Sequence, residues 1–285
     1  HVANMLAFQP DEAIAAVMAL PDYEAAPYLL LATKHGRVKK TPLTDYDSRL
    51  TGGIKAIILN GDDEVIAAQL VSEADDVLLV SREAMSVRFT ADAATLRPMG
   101  RVTAGVAGIR LKPGDELLAA EVAREGSDLV TVTEGGFAKR TPVEQWRPKG
   151  RNIQGVRAMQ LVPERGGLVG ALVCEPGDDV LAMASNGVVI RSAATEIRET
   201  GRATMGVSLM GLPDGVEVAA VARASDTEVD EAEGTAGTDG DGAPDVVTED
   251  GEADLAAVVQ DGETGLAAVV QDGEAGLIGG DSADG

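Results

Sequence analysis

The chain has 285 residues, 45% of them apolar, with a formal net charge of −23, one Cys, two His and 2% aromatics. At roughly 150 residues per domain it can build one or two cores without staples, and a lone Cys174 excludes a disulfide framework and any Cys-based zinc site. Two histidines leave no scope for a His-ligated metal or a His-centred triad, so no metal site is expected, and apolar runs such as Leu168 to Cys174 are far shorter than the about 20 residues a membrane helix needs.

The chain opens at His1 in mid-pattern, which reads as a piece of a longer protein. Residues 1–26 look like the end of a repeat whose complete copies follow at 27–74, 75–126, 127–177 and 178–224. Each copy begins with an apolar strand, a turn and a second strand that ends in basic residues and Thr or Ser. The first reads Tyr28-Leu29-Leu30-Leu31-Ala32-Thr33, Lys34-His35-Gly36, Arg37-Val38-Lys39-Lys40-Thr41. The pattern returns at Val77 to Ser81 with Ser86 to Thr90, at Leu129 to Thr133 with Phe137 to Thr141, and at Val180 to Ala184 with Val188 to Ser192. A Thr or Ser anchor at 41, 90, 141 and 192 keeps the phase.

A glycine-bearing loop follows in each copy: Ser48 to Ile54, Gly100 to Val106, Gly150 to Val156 and Gly201 to Val207. It leads into a short apolar strand, an acidic or Gly-rich turn such as Gly61-Asp62-Asp63-Glu64, and a closing strand: Val65 to Val71, Leu117 to Val122, Leu168 to Val173 and Val216 to Val221. The strands are Val-, Leu- and Ile-rich and bounded by Gly, Asp and Asn, and no helical period survives. The expectation is an all-β fold of four-stranded blades in a radial, propeller-like array.

Residues 225–285 differ. They hold 18 of the 47 acids and none of the 24 bases, so the tail carries −18 while the first 224 residues carry −5. Such composition predicts a disordered, low-complexity acidic tail. Within it an 11-residue unit recurs, Asp250-Gly251-Glu252 leading to Leu255-Ala256-Ala257-Val258-Val259-Gln260 and Asp261-Gly262-Glu263 leading to Leu266-Ala267-Ala268-Val269-Val270-Gln271. Asp239 and Asp241 could start a calcium loop, but Pro244 stands where the turn glycine is required. The tail is expected to compete with an anionic ligand for the basic residues of the blades.

No Gly-Lys dipeptide occurs, so no phosphate-binding P-loop exists, and no nucleophile–base pair can be assembled. What recurs with chemistry is positive charge. The strands supply Lys34, Arg37, Lys39 and Lys40, then Arg88, then Lys139 and Arg140, then Arg191; the loops supply Arg49 and Lys55, Arg97 and Arg101, Arg147, Lys149 and Arg151, then Arg198 and Arg202. In a radial array equivalent positions fall on one rim. A curved cationic track of this kind suits the phosphates of a bent duplex; a solvated rim that only keeps the array soluble is the alternative. Trp146 reads as a packing residue.

These residues resemble the C-terminal domain of the DNA gyrase A subunit in its actinobacterial form. The resemblance covers residues 1 to about 224. It rests on Ala-Asn-Met-Leu-Ala-Phe-Gln-Pro at 3–10, Gly-Arg-Val-Lys-Lys-Thr at 36–41, Leu-Thr-Asp-Tyr-Asp-Ser at 43–48, Leu-Arg-Pro-Met-Gly-Arg at 96–101 and Gly-Gly-Phe-Ala-Lys-Arg-Thr at 135–141. It implies a six-bladed β-pinwheel that wraps duplex DNA without sequence preference. In such an enzyme an A2B2 assembly with the gyrase B subunit uses ATP and Mg to introduce negative supercoils, in the bacterial cytoplasm at the nucleoid. It also implies that the catalytic tyrosine and the ATPase lie elsewhere, so this stretch has no catalytic residue and no cofactor of its own. The family's gyrase box is Gln-Arg-Arg-Gly-Gly-Lys-Gly. The nearest match here, Lys149-Gly150-Arg151-Asn152-Ile153-Gln154-Gly155, keeps the central Arg and last Gly but lacks the Gly-Gly-Lys core. Two other readings stand beside this one: the C-terminal domain of the A-type subunit in topoisomerase IV, and a propeller that binds only proteins.

Overall fold

A computed structural model describes residues 13–48, 53–225 and 265–271. These are built almost wholly from strands. The first long strand, β1 (Ala13–Leu20), precedes four similar sheets. The strands β2 (Tyr28–Thr33), β3 (Arg37–Pro42), β4 (Val65–Val71) and β7 (Val106–Ala107) form the first, in the order β4-β2-β3-β7. The second comprises β5 (Asp76–Ser81), β6 (Met85–Thr90), β8 (Leu117–Ala123) and β11 (Val156–Arg157), in the order β8-β5-β6-β11. In the third, β9 (Asp128–Thr133), β10 (Phe137–Pro142), β12 (Leu168–Cys174) and β15 (Val207–Ser208) run β12-β9-β10-β15. The last has three strands, β16-β13-β14, from β13 (Asp179–Ala184), β14 (Val189–Ala193) and β16 (Val218–Ala224).

The all-β, propeller-like reading is therefore correct, with one change. The fourth strand of each sheet is not its own. β7, β11 and β15 come from the loop of the following repeat and pair with β3, β6 and β10 of the preceding one. Among the described residues nothing supplies that strand to the last sheet, and Val188 and Val189 at its open edge are about half exposed. Glycines make the donation possible. Gly105 and Gly206 adopt φ of +70° and +71°, and a Cβ on either would stand 2.6 Å from a carbonyl oxygen of the preceding repeat, Val38 or Ala138. Only Gly both reaches that conformation and tolerates that approach.

The cores lie between successive sheets rather than inside one. Leu30, Ala32 and Val38 of the first sheet pack against Val77, Leu79, Val87 and Phe89 of the second. Leu78 and Val80 meet Leu129, Trp146 and Leu168 in the next layer, and Val130 and Val132 meet Val180 and Ala182 in the one after. A strand such as β2 or β9 is thus covered on both faces, and five of its six residues are buried. That explains why β2 reads as a largely apolar run, why Thr131 and Thr133 of β9 are buried as well, and why stability is shared between neighbours.

Acidic turns have structural work in the first two sheets. Asp63 accepts from Thr33 Oγ1 at 2.7 Å, from the His35 amide at 2.8 Å and from the Glu64 amide at 3.0 Å. Asp115 repeats this with Ser81 Oγ at 2.6 Å and the Glu83 and Glu116 amides. Each carboxylate ties the β2–β3 or β5–β6 hairpin turn to the turn before the closing strand.

One half-buried acid is not so well placed. Glu121 on β8 sits near Arg223 and the Val173 amide, and burial pushes its pKa up to about 7. A carboxyl whose folded pKa exceeds its unfolded value holds its proton better when folded. Stability is then greatest below the unfolded pKa and falls as pH rises through 7. Glu121→Gln should raise Tm by a few degrees at pH 8, and by much less at pH 4.5, in paired thermal melts.

Candidate nucleic-acid interface

Strand pairing fixes which basic residues are equivalent. Pro42, Thr90, Pro142 and Ala193 lie opposite Tyr28, Asp76, Asp128 and Asp179. The true equivalents are therefore Lys40, Arg88, Arg140 and Arg191, and the second repeat is one residue out of phase with the Thr anchor read from the sequence, because Phe89 rather than Thr90 matches Thr41.

This column of cations is tied into the fold. Arg88 pairs with Asp76 at 2.8 Å, Arg140 with Asp128 at 2.6 Å, and Arg191 with Asp179. In the first repeat the Asp is replaced by Tyr28, and the Lys40 ammonium stands 4.3 Å from the centre of its ring and 3.5 Å from Glu73. Three of the four also reach into the next repeat. Lys40 donates to the Ala91 carbonyl, Arg88 to those of Val143 and Trp146, and Arg140 to that of Ile197 and to Glu199.

A second column is buried deeper. Lys39 donates to the carbonyls of Ala56 and Arg101, and Lys139 to those of Gly201 and Arg202 at 2.7 and 2.8 Å. Both side chains are fully enclosed, and burial pushes each pKa down to about 8. Arg37 holds the Ala104 and Gly105 carbonyls, and Arg151, the central Arg of the degenerate box, holds those of Thr95 and Ala107. Lys34 pairs with Glu64 at 3.1 Å.

Most of the basic track expected from the sequence is thereby corrected. Lys39, Lys40 and Lys139 have no exposed surface, and Lys34, Arg37, Arg88, Arg140, Arg151 and Arg191 already have carboxylate or carbonyl partners. They recur because each repeat must hold the loop of the next one. Arg49 lies outside the described residues. Of the seventeen strand and loop cations named from the sequence, Lys55 and Lys149 are exposed, Arg191 is exposed but paired with Asp179, and Arg101 and Arg202 are half-buried.

Three more of the loop cations named from the sequence share a signature: an apolar residue, Arg, two residues, then Gly-Arg, at 96–101, 146–151 and 197–202. The apolar residue anchors the loop, since Leu96, Trp146 and Ile197 are all buried. Trp146 Nε1 also donates to Ser86 Oγ at 2.8 Å, which makes it a packing residue. The next residue, Arg97, Arg147 or Arg198, is turned to solvent. With Lys55 and Lys149 these make five exposed cations that have no side-chain partner among the described residues. By contrast, cations at the hairpin turns face acids: Arg82 faces Glu116, Lys112 faces Glu83 and Arg124 faces Glu175. Uncompensated positive charge thus lies on the glycine loops and, just beyond them, at the exposed Arg110 and Arg157, which bond the Asn152 carbonyl and the Gln160 side chain rather than an acid.

Between the second and third sheets the loop borders a cleft of about 200 Å³. Trp146, Val87 and Ile153 line it with Arg147, Lys149 and Arg202, and the Arg202 guanidinium stands 5.8 Å from the Trp146 ring centre. The box residues Gly150, Asn152 and Gln154 are exposed, and Gly155 leads into the donated strand β11. No group of three His, Cys, Asp or Glu among the described residues could hold a metal ion.

Comparison with known proteins gives a consistent result. The family model described as "DNA gyrase C-terminal domain, beta-propeller" matches residues 27–72, 75–124, 127–175 and 178–225. The chain is 53% identical over 241 residues to the DNA gyrase A subunit of Streptomyces coelicolor, covering 82% of this chain and 28% of that one. It is 48% identical over 231 residues to the DNA gyrase A subunit of Mycobacterium tuberculosis, covering 81% and 28%. It thus spans between a quarter and a third of the length of these relatives. Among solved structures, a DNA gyrase A C-terminal domain superposes with a TM-score of 0.62 at 26% identity, over 69% of this chain and 65% of that one. A C-terminal domain of DNA topoisomerase IV superposes with a TM-score of 0.72 at 24% identity, over 79% and 70%; that likeness is one of fold.

Proposed function

Because the chain belongs to the DNA gyrase C-terminal domain family, we propose that it binds duplex DNA without reading its sequence and bends it along the glycine loops. The observation that carries this is the set Lys55, Arg97, Arg147, Lys149 and Arg198, exposed and without a side-chain partner among the described residues, of which Arg97, Arg147 and Arg198 recur from blade to blade. Cations arrayed on one side of a duplex neutralise phosphates on that side only. Each releases condensed counterions, and the remaining repulsion on the far side favours curvature towards the protein. Bending a 20–30 bp segment by 40–90° costs of order 1–6 kcal/mol, which several such contacts offset. The loops are already held by Lys39, Arg37, Arg88, Lys139, Arg140 and Arg151, so binding need not order them.

In the whole protein this wrapping would present a neighbouring duplex segment to the cleavage gate of a type II topoisomerase. The gyrase A chain would act there with gyrase B as A2B2, with ATP and Mg serving the holoenzyme at the bacterial nucleoid. The stretch itself carries no nucleophile–base pair and would be inactive alone. The fold likeness to topoisomerase IV keeps the corresponding domain of that enzyme as a second reading; the relatives at 48–53% identity favour gyrase. A propeller that binds only proteins would leave the five loop cations without a purpose.

The test is titration of random-sequence duplexes at several salt concentrations. With five phosphates neutralised, log affinity should fall with log salt at a slope of about −4 to −5. End-to-end energy transfer on a labelled duplex should rise on binding. A slope near zero, or preference for one sequence, rejects the proposal.

A further inference from the structure

The third repeat departs from its neighbours in its glycine loop. Trp146 stands where the others hold Leu96 and Ile197, and Lys149 where they hold Met99 and Thr200. The backbone departs too: Asn152 is left-handed at φ +56°, and its equivalents Val102 and Ala203 are not. Residues that join one repeat to the next recur with the repeat, so the joints do not explain residues found in a single copy. Two of these departures meet in the cleft of about 200 Å³ between the second and third sheets. Trp146 is held there as a fixed wall. Its Nε1 donates to Ser86 Oγ at 2.8 Å, and that hydroxyl donates to the Val156 carbonyl at 2.7 Å. Val87 and Ile153 extend the apolar lining. Of the four cations that border the cleft, Arg88 is matched by Asp76 and by the Val143 and Trp146 carbonyls. Arg147, Lys149 and Arg202 have no carboxylate partner among the described residues, and no Asp or Glu lines the cleft.

We propose that this cleft is a binding site for a small planar aromatic monoanion, with its ring against Trp146, Val87 and Ile153 and its carboxylate on Arg147, Lys149 and Arg202. An apolar wall beneath unmatched cations recognises both halves of such a molecule. A bare phosphate would meet the charges and leave the wall wet, and a neutral ring would cover the wall and leave the charges unmet. The cleft is smaller than the roughly 300 Å³ at which sites for drug-sized ligands begin, which limits the occupant to one or two fused rings. A fixed wall and loops already held by the neighbouring repeat leave little to order on binding. Arg147 and Lys149 also belong to the proposed duplex contact, so an occupant would weaken duplex binding. That consequence rests on the DNA reading; the binding of the anion itself does not.

Trp146 is the only tryptophan in the chain. Its indole Nε1–H therefore gives a single nitrogen–proton resonance that reports on this cleft in the whole protein, without DNA. Naphthoate should shift that resonance saturably, half-complete at about 1 mM or below, the affinity that ordinary efficiency per atom gives a ligand of about a dozen non-hydrogen atoms. Naphthylmethanol, which keeps the rings without the charge, and inorganic phosphate, which keeps the charge without the rings, should each bind at least about tenfold more weakly. Arg147→Ala with Lys149→Ala should weaken naphthoate at least about tenfold. Arg97→Ala with Arg198→Ala, on the neighbouring loops, should change it by less than about twofold. A resonance that does not move, phosphate or naphthylmethanol binding as tightly as naphthoate, or full affinity without Arg147 and Lys149 overturns the proposal. Duplex binding with an unmoved indole rejects the cleft alone, and naphthoate binding without duplex binding rejects the proposed function alone.

Discussion

Reversing Arg97, Arg147, Lys149 and Arg198 together to Glu should reduce duplex affinity by at least about 10³-fold at 50 mM salt, with the gap narrowing as salt rises. Each removed phosphate contact takes about 0.9 from the salt slope, so the slope should drop from about −4.5 to about −1. The four side chains touch no partner among the described residues, so folding should be nearly indifferent, and Tm should move by no more than a few degrees. This separation makes the experiment decisive. If affinity survives while the fold is intact, the duplex does not lie on these loops. Reversing Arg82 and Arg124, which are already matched by Glu116 and Glu175, should change affinity far less.

Lys139→Met should behave oppositely, destabilising by about 2–4 kcal/mol, because the Gly201 and Arg202 carbonyls lose their donor inside a closed site. For a chain of this size that is roughly 5–15 °C in Tm. Methionine keeps most of the apolar stem, so the loss reports the hydrogen bonds rather than a cavity. The pH dependence follows from the direction of the pKa shift. Burial holds Lys139 at about 8, below its unfolded value. The unfolded chain therefore binds the proton more tightly, and the parent's stability rises as pH climbs from about 8 towards 10. The Met variant lacks this contribution, so the gap between the two should change over that window in thermal melts. A constant deficit, or none, would show that the ammonium does not hold the loop of the next repeat. Charge reversal at Lys39 or Lys40 is likewise a test of folding and not of DNA contact.

The two experiments separate what a regular spacing of cations confuses. Periodicity shows that a residue recurs in every repeat. It does not show whether the fold or a ligand requires it, because a repeat protein must reproduce its own joints as faithfully as its binding surface. Lys139 and Arg147 lie eight residues apart in one repeat and carry the same charge. One is enclosed against two carbonyls and the other points to solvent. The signal that separates them is local: Arg147 follows the buried Trp146 in a loop, whereas Lys139 sits in a strand covered on both faces.

Local chemistry along the chain was enough to give the number of complete blades, the strands Tyr28–Thr33, Asp76–Ser81 and Asp128–Thr133 to within a residue, the charge division between blades and tail, and the family. A strand buried on both faces such as Tyr28–Thr33 is a largely apolar run, and most of the left-handed turn positions are Gly, so both leave a mark in the residues themselves. Other features became visible only in three dimensions. Val106–Ala107, Val156–Arg157 and Val207–Ser208 are too short to reveal which sheet they join, and the path of the folded chain gives each to the preceding one. Gly265–Gln271 pairs antiparallel with β1, against the expectation of an unpaired tail, through an edge brought near by folding; the rest of residues 226–285 lie outside the described ones. And the solvent exposure of a cation depends on what packs over it, a fact about neighbours in space that no spacing along the chain records.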